Sequence, residues 1–240
     1  MKTLSVVCAR KGSKGLRDKC TRGIRGRMAA EYAIDYSLSL GKEVKTVVST
    51  NIERVISYCK RKKIPYISRP SKLCGDASRI DDVLADAIER EGAGYRYCSL
   101  VYGNIPTRYP QLFYDAIVFL RKNRSYDAVI SMQRIEKYHP EWMFEFTDRE
   151  LPMKREAHYR RQALPKLMIH DGHTLVFEAQ KFYKKFTKEI PYKAGFLYSI
   201  YGDRIKAMIV NETVVDIDTR KDLTLAKAVI DSRLNKESGF

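Results

Sequence analysis

Residues 4–19 of the chain read LSVVCARKGSKGLRDK, an apolar run followed at once by a loop rich in glycine and cations. The run Leu4–Cys8 is short, apolar and partly β-branched, which predicts a buried strand. The loop extends to about residue 27, and the apolar spacing over residues 29–40 predicts a helix that ends at Gly41. This order of strand, loop and helix predicts the start of a parallel α/β sheet.

The same alternation continues through the first half of the chain. Strands are predicted at residues 44–49, 64–67, 97–102 and 128–132, and helices at 80–90 and 110–120. Another helix is predicted to be capped by Thr50 or Asn51 and to run to about residue 63. The alternation predicts a mostly parallel central sheet that is covered on both faces.

The pattern changes at residue 134, where the chain becomes polar and irregular to about residue 168. Strand-like segments return at residues 174–177, 206–210 and 214–218, and a helix is predicted at 221–234. We therefore expect one α/β domain over residues 1–240, with an inserted excursion over residues 134–172.

The composition limits the classes of function. The 240 residues include 45 Lys+Arg and 29 Asp+Glu, and the net charge of +16 suits a nucleic acid, an anionic membrane surface or a phosphorylated small molecule. A hydrophobic content of 44% excludes a disordered tail. No apolar window approaches the roughly 20 residues that span a bilayer. The five cysteines form no C-x-x-C motif, so we expect a cytoplasmic protein without disulfides or structural zinc.

The loop after the first strand is a candidate phosphate site. Open α/β folds bind ligands at the carboxyl edge of the sheet, where this loop is expected to lie. Gly12 and Gly15 would let backbone N–H groups approach an anion, and Arg10, Lys14 and Lys19 supply positive charge. The loop matches neither the Walker motif nor G-x-G-x-x-G. A solvated basic loop would explain the composition equally well, but the position favours phosphate binding.

A second candidate lies near the end of the sequence, at residues 215–219, which read VDIDT. Alternation along a strand places Asp216 and Asp218 on one side and Ile217 on the other. Two such carboxylates can hold Mg²⁺, which also binds substrate phosphates. The alternative is that Asp218 or Thr219 caps the final helix.

Three further groups of cations have both functional and structural explanations. Arg108 follows the fourth predicted strand and either binds an anion or belongs to a turn. Arg160 and Arg161 suit a bidentate grip on a carboxylate or phosphate, although a solvated run of charge is the simpler explanation. The cations at residues 60–63 end a predicted helix, where they complement the helix dipole.

Several motifs recur in a familiar order along almost the whole chain. Residues 9–20 read ARKGSKGLRDKC, residues 47–50 VVST, residues 69–73 RPSKL, and residues 78–81 SRID. Residues 139–144 read HPEWMF, residues 160–165 RRQALP, and residues 215–223 VDIDTRKDL. Together these segments resemble the acylneuraminate cytidylyltransferases, the CMP-sialic acid synthetase family, and the first and last motifs are the most specific.

The resemblance implies a fold, a reaction and partners. It implies a Rossmann-like nucleotidyltransferase fold whose excursion serves dimerisation, and thus a homodimer. It also implies transfer of CMP from CTP to the anomeric hydroxyl of a 2-keto sugar acid, with release of pyrophosphate and with Mg²⁺ as cofactor.

The resemblance also implies roles for particular residues. The expected nucleotide contacts are Ala9, Arg10, Gly12, Ser13, Lys14, Lys19, Cys20, Arg69 and Ser78. The expected contacts to the acceptor substrate are Tyr102, Asn104, Arg108, Arg160, Arg161 and Gln162. The expected metal ligands are Asp216 and Asp218, and the expected catalytic residues are Arg10, Lys19 and Asp218.

The chain departs from the family pattern mainly on the sugar side. Cys20 stands where the family has Asn, Tyr102 where it has a Gln that contacts the acyl sugar, and Asp171 where it has Asn. We therefore expect an acceptor other than ordinary N-acetylneuraminate. The alternatives are another nonulosonic acid, a KDO-like sugar, a small acid such as a phosphonate, or loss of activity. A basic nucleic-acid-binding α/β protein is the alternative of another class, although no nucleic-acid motif supports it.

Overall fold

A seven-stranded sheet with helices on both faces forms the centre of the molecule. The computed structural model describes residues 2–12, 15–92, 94–135, 138–143, 160–188, 200 and 202–237. The strands are β1 (Thr3–Ala9), β2 (Gly23–Ile24), β3 (Arg27–Met28), β4 (Val44–Thr50), β5 (Tyr66–Ser68), β6 (Tyr97–Tyr102), β7 (Ala128–Arg134), β8 (Met168–Glu178) and β9 (Ile205–Ile209). The helices are α1 (Ala29–Ser39), α2 (Glu53–Lys62), α3 (Ile80–Glu91), α4 (Gln111–Lys122), α5 (Ala179–Thr187) and α6 (Arg220–Glu237).

The central sheet has the strand order β5-β4-β1-β6-β8-β7-β9, and β2 and β3 form a separate pair. β1 is parallel to both of its neighbours, and β4–β5 and β7–β9 are also parallel pairs. β8 runs antiparallel to both β6 and β7. The predicted α/β class with a mostly parallel sheet is therefore confirmed.

Alternating side chains of β1 divide the core into two layers. Val7 and Ala9 pack in the layer that contains α1, α2 and α4. Leu4, Val6 and Cys8 pack in the opposite layer with α3 and α5. Every residue of β1 is buried, as expected for a central strand covered on both faces. Within the described part of the chain, no helix is both long and apolar enough to cross a membrane.

The end of the predicted excursion belongs to the sheet. β8 begins at Met168, and residues 168–170 pair with β7, although we expected the strand only at 174–177. Residues 168–172 are exposed or half-buried, whereas residues 173–177 are buried. The sequence pattern missed the first half of β8 because its side chains are not in the core. Residues 136–137 and 144–159 of the excursion lie outside the described residues.

Two local predictions were wrong. Residues 214–218 are not a strand, although Ile217 N donates to the Asn104 carbonyl oxygen at 3.0 Å. α2 begins after Ile52, which makes no side-chain cap, so neither Thr50 nor Asn51 is its N-cap. The Asn51 side chain instead accepts a hydrogen bond from Lys11 N at 2.8 Å. Asn51 therefore holds the first loop rather than the helix.

Arg108 has a different role from the one predicted. Its buried guanidinium donates to the carbonyl oxygens of Tyr102 and Ile105 at 2.8 and 2.6 Å. It also donates to the carbonyl oxygens of Gly172 and His173, both at 2.8 Å. The expected anion contact is therefore replaced by a structural one, because these bonds tie the end of β6 to β8.

We predict that Arg108→Met destabilises the fold by about 3 kcal/mol, because it leaves several buried carbonyl oxygens without donors. Urea denaturation of the purified protein measures the effect. Arg121→Met, which truncates an exposed arginine of α4, serves as the matched control and is expected to change stability by less than about 0.5 kcal/mol. Equal effects of the two substitutions would contradict the structural role of Arg108.

Candidate functional site

A cavity of about 240 Å³ opens at the carboxyl edge of the sheet. The ends of β1, β5 and β6 meet there with the first loop, the start of α3 and the segment before α6. Its lining consists of Cys8, Arg10, Gly15, Lys19, Cys20, Arg69, Ile80, Tyr102, Asn104 and Asp218. Seven of these residues had been predicted as site residues from the sequence. Gly15 was named from the sequence as part of the candidate phosphate loop, whereas Cys8 and Ile80 were not singled out.

The segment before α6 is tied to the first loop through its backbone. Leu16 N donates to the carbonyl oxygen of Asp218 at 2.8 Å. A side chain on Gly15 would place its Cβ only 2.8 Å from the same oxygen, so glycine is needed for this close approach. The contact brings the two predicted motifs at residues 9–20 and 215–223 to one place.

The carboxylates of this segment face away from the core. Ile217 is fully buried with Ala226 and Ile230 of α6, whereas the side chains of Asp216 and Asp218 reach the surface. The alternation predicted for residues 216–218 therefore holds in the structure, although the segment is not a strand.

α6 is capped without the carboxylate of Asp218. The Thr219 hydroxyl accepts from Asp222 N at 3.3 Å, while the Asp222 carboxylate accepts from Thr219 N at 2.7 Å. This reciprocal pair forms a capping box. The alternative that Asp218 or Thr219 caps the final helix therefore holds for Thr219, while Asp218 lines the cavity.

Lys19 and Asp218 form an ion pair inside the site. Lys19 Nζ lies 2.5 Å from Asp218 Oδ1, and the exposed fractions of the two side chains are 22% and 59%. The pair joins residues that are 199 positions apart in the sequence. A cation from the first loop therefore already neutralises one of the two predicted metal ligands.

Asp216 is held by Asn104. The Asn104 amide donates to Asp216 Oδ1 and, at 3.4 Å, to the carbonyl oxygen of Ile217. Desolvation raises the pKa of the Asp216 carboxyl to about 6, and the negative charge of Asp218 adds to the rise. Asn104, predicted as an acceptor contact, thus orients a carboxylate in this structure.

Arg10 is anchored by a loop that the sequence did not single out. Its guanidinium donates to the Cys74 carbonyl oxygen at 3.3 Å and to Asp76 Oδ1 at 3.0 Å. Asp76 lies between β5 and α3 and carries no motif that would mark it. The Arg10–Asp76 pair holds the Arg10 guanidinium in place beside the cavity.

Arg69 reaches the cavity from the end of β5 and is buried. Its guanidinium donates to Ser49 Oγ at 3.2 Å and to the Ser49 carbonyl oxygen at 2.9 Å. These bonds fix the guanidinium against β4. They are consistent with the predicted nucleotide contact, which requires a preorganised donor.

Two cysteines line the cavity in a neutral form. Burial raises the pKa of the Cys20 thiol to about 11 and also raises that of Cys8. Both thiols therefore stay protonated at neutral pH and are poor nucleophiles. Cys20 offers the cavity a small apolar wall where its family relatives are expected to have an amide.

Several predicted nucleotide contacts do not line this cavity. The Ala9 side chain is buried in the core, and Gly12 is exposed with a φ of +89°. Ser78 Oγ donates to the carbonyl oxygen of Lys72 at 3.0 Å. Ser13 and Lys14 lie outside the described residues.

The predicted acceptor contacts of the excursion also lie apart from the cavity lining. Arg160 and Gln162 are exposed, and the Arg161 side chain is outside the described part of the structure. Two larger openings flank this region and share Arg134 and Ile135 in their lining, with volumes of about 430 and 730 Å³. The cavity at the sheet edge is smaller, but it holds the cations and the carboxylate that phosphate chemistry requires.

A comparison with protein families identifies the family of the chain. A family model described as cytidylyltransferase matches residues 4–236, almost the entire sequence. The chain belongs to the cytidylyltransferase family. The resemblance seen in the motifs is thereby confirmed.

Curated relatives of this cytidylyltransferase act in the chemistry of acidic sugars, according to their names. An N-acylneuraminate cytidylyltransferase of Streptococcus agalactiae is 25% identical over 92% of this chain, which spans about half (52%) of that relative's length. A pseudaminic acid cytidylyltransferase of Campylobacter jejuni is 24% identical, and the match covers 100% of both chains. These names agree with the predicted enzyme class, a CTP-dependent cytidylyltransferase.

Solved structures share the fold. A CMP:2-keto-3-deoxy-manno-octonic acid synthetase complexed with CTP has a TM-score of 0.74 and 16% identity, covering 97% of this chain and 100% of that chain. A 4-diphosphocytidyl-2C-methyl-D-erythritol synthase of Anaerococcus prevotii has a TM-score of 0.63 and 17% identity, covering 96% and 99%. The Rossmann-like nucleotidyltransferase fold is thus confirmed.

The two aspartates of this cytidylyltransferase suit a magnesium ion that is shared with a nucleotide. Among the described residues, no group of three His, Cys, Asp or Glu side chains could hold a metal by itself. Mg²⁺ commonly uses one or two carboxylates and completes its shell with phosphates and waters. Asp216 and Asp218 supply such a set, and the negative charge of Asp218 contributes, after desolvation, to the raised pKa of Asp216.

We predict that the carboxyl group of Asp216 titrates near pH 6 in the metal-free protein. Since this pKa lies above the ordinary carboxyl value, ionisation of Asp216 opposes folding as pH rises through 6, and protonation weakens cation binding below it. Carboxyl ¹³C NMR measures the midpoint. Asp218→Asn is expected to lower it by removing a neighbouring negative charge, while Asp115→Asn, a distant exposed control, leaves it unchanged. A midpoint near 4 in the unsubstituted protein would contradict the prediction.

Proposed function

We propose that this chain transfers CMP from CTP to the anomeric hydroxyl of a 2-keto sugar acid related to sialic acid and releases pyrophosphate. The observation that carries the proposal is the meeting of Arg10, Lys19 and Asp218 in the cavity lining of a cytidylyltransferase fold, with Asp216 held by the lining residue Asn104. The names of the curated relatives support the acceptor class.

The cationic and the anionic residues of the site have different proposed roles. Arg10 and Lys19 bind the triphosphate, and Asp216 and Asp218 hold Mg²⁺, which when bound neutralises phosphate oxygens. The acceptor hydroxyl attacks the α-phosphorus, the bond to the β-phosphate oxygen breaks, and the hydroxyl proton goes to solvent or to pyrophosphate. Lys19 and Arg10 stabilise the negative charge that builds up on the leaving group. The rate enhancement then comes mainly from positioning and electrostatics.

The acceptor is proposed to differ from N-acetylneuraminate because the cavity wall carries Tyr102 where the family pattern has Gln. Tyr102 lines the cavity, and its ring lies against Gly172. A Cβ on Gly172 would lie 2.6 Å from Ile105 Cδ1 and 3.5 Å from Tyr102 Cδ2. A flat aromatic ring thus occupies the position where the family pattern has an amide, which favours an acceptor with an apolar substituent at that point. A phosphonate or a KDO-like acid stays the alternative acceptor.

The proposal includes a homodimer formed through the excursion. Large apolar side chains are exposed around its described ends, namely Tyr138, Met143, Met168, Ile169 and Ile209. A second copy that covers them would bring its own Arg160 or Arg161 toward the acceptor side of the cavity. We also propose a cytoplasmic location, which the five free cysteines support.

Nucleotide selectivity tests the proposed function. With Mg²⁺ and every nucleotide at one concentration, about 100 times the Kd for CTP, CTP is expected to raise Tm by roughly 5 °C, more than ATP, GTP or UTP. Asp216→Asn is expected to lose most of this shift because it removes a metal ligand, while Asp115→Asn keeps it. Differential scanning fluorimetry measures all combinations. Equal stabilisation by the four nucleotides, or none by CTP, would refute the proposal.

A further inference from the structure

Among the described residues of the first loop, Arg10 and Lys19 line the cavity, and each is paired with its own carboxylate. Lys19 Nζ lies 2.5 Å from Asp218 Oδ1, and Arg10 Nη2 lies 3.0 Å from Asp76 Oδ1. The free protein therefore neutralises the charges of Lys19 and Arg10 internally. Any anion that binds Lys19 has to compete with Asp218.

A triphosphate that binds without a metal has to take Lys19 from Asp218, which is unfavourable. If it draws Lys19 away, Asp218 loses its partner and stands beside Asp216 with no compensating charge. Both carboxylates then face the incoming phosphates, and like charges at close range repel.

A divalent cation that arrives without a nucleotide meets the opposite problem. Binding to Asp218 displaces Lys19, and this ammonium group is only 22% exposed, so it loses an ion pair without recovering full hydration. Two cations then lie at one site. When both ligands arrive together, the carboxylates bind the metal, Lys19 binds the phosphates, and every charge has a partner.

We infer that Lys19 and Asp218 form an exchange pair that makes the site take a metal–triphosphate complex as one unit, in preference to free nucleotide or free cation. This inference rests on the proposed function and adds to it a role for the Lys19–Asp218 ion pair. The pair makes binding of the divalent cation and binding of the triphosphate favour each other. By linkage, the factor by which Mg²⁺ tightens nucleotide binding equals the factor by which nucleotide tightens Mg²⁺ binding.

Calorimetric titration of CTP in EDTA tests the exchange. Asp218→Asn releases Lys19 and removes one negative charge, so metal-free CTP is expected to bind it on the order of tenfold more tightly than the unsubstituted protein, within the usual range of coupling energies. A carboxylate that merely ligates metal would leave metal-free binding unchanged. Asp115→Asn, which removes the same charge far from the cavity, is expected to leave it unchanged as well.

A double-mutant cycle separates the exchange from simple repulsion. If Lys19 carries the effect, Asp218→Asn gains on the order of tenfold in the chain with Lys19 and a clearly smaller factor in the Lys19→Gln background, where it relieves only the repulsion between Asp218 and the phosphates. The same gain in both backgrounds would mean repulsion alone and would overturn the inference.

The failure of this inference is distinguishable from failure of the proposed function. If the unsubstituted protein binds CTP with Mg²⁺ but Asp218→Asn shows no gain in EDTA, the exchange pair is refuted and the proposed function stands. If the unsubstituted protein does not bind CTP even with Mg²⁺, both are refuted.

Discussion

The contact between the first loop and the segment before α6 is the constraint on which the site depends. Leu16 N bonds the carbonyl oxygen of Asp218 at 2.8 Å, and this approach is possible only because residue 15 has no side chain. Burial of Ile217 under α6 holds the segment from the other side. The backbone bond and the buried side chain together fix Asp216 and Asp218 at the carboxyl edge of β1, opposite the cations of the first loop.

The first loop and residues 216–218 compensate each other's charges. Desolvation and the negative charge of Asp218 together raise the pKa of Asp216 to about 6, and a half-buried ammonium group without a partner is also unfavourable. The Lys19–Asp218 ion pair relieves both conditions in the free protein. With a metal and a triphosphate bound, the carboxylates would pair with the metal and Lys19 with the phosphates. This change of partners is the physical basis of the proposed coupling between metal binding and nucleotide binding.

Local patterns predicted the elements well, because apolar periodicity reports which residues are buried. β6 was predicted at its observed bounds, and the loop at residues 9–20 was placed correctly at the sheet edge. The position of β8 between β6 and β7 was not predictable, since strand pairing depends on contacts that sequence periodicity does not contain. Arg108 was misread for a related reason. An arginine at the end of a strand suggests an anion-binding site. Only the fold shows that four backbone carbonyl oxygens surround the Arg108 guanidinium and accept its hydrogen bonds.

The net charge of +16 also has a sharper meaning in the structure. Arg10, Lys19 and Arg69 line the cavity, where they suit a nucleotide. The cations at residues 60–63 are instead exposed at the end of α2, where positive charge complements the helix dipole. These two groups of cations thus belong to the proposed nucleotide site and to a helix end, and the described residues give no separate sign of a nucleic-acid surface.

The central claim is that this cavity joins a CMP group to a 2-keto sugar acid. Its most direct test is a panel of such acids incubated with CTP, Mg²⁺ and the full chain, with pyrophosphate release and product mass both measured. The account predicts that at least one acid releases pyrophosphate in an amount equal to a new product whose mass is that of the acid plus CMP less water. Failure of every acid in the panel with a protein that binds CTP, or pyrophosphate release without such a product, would contradict it.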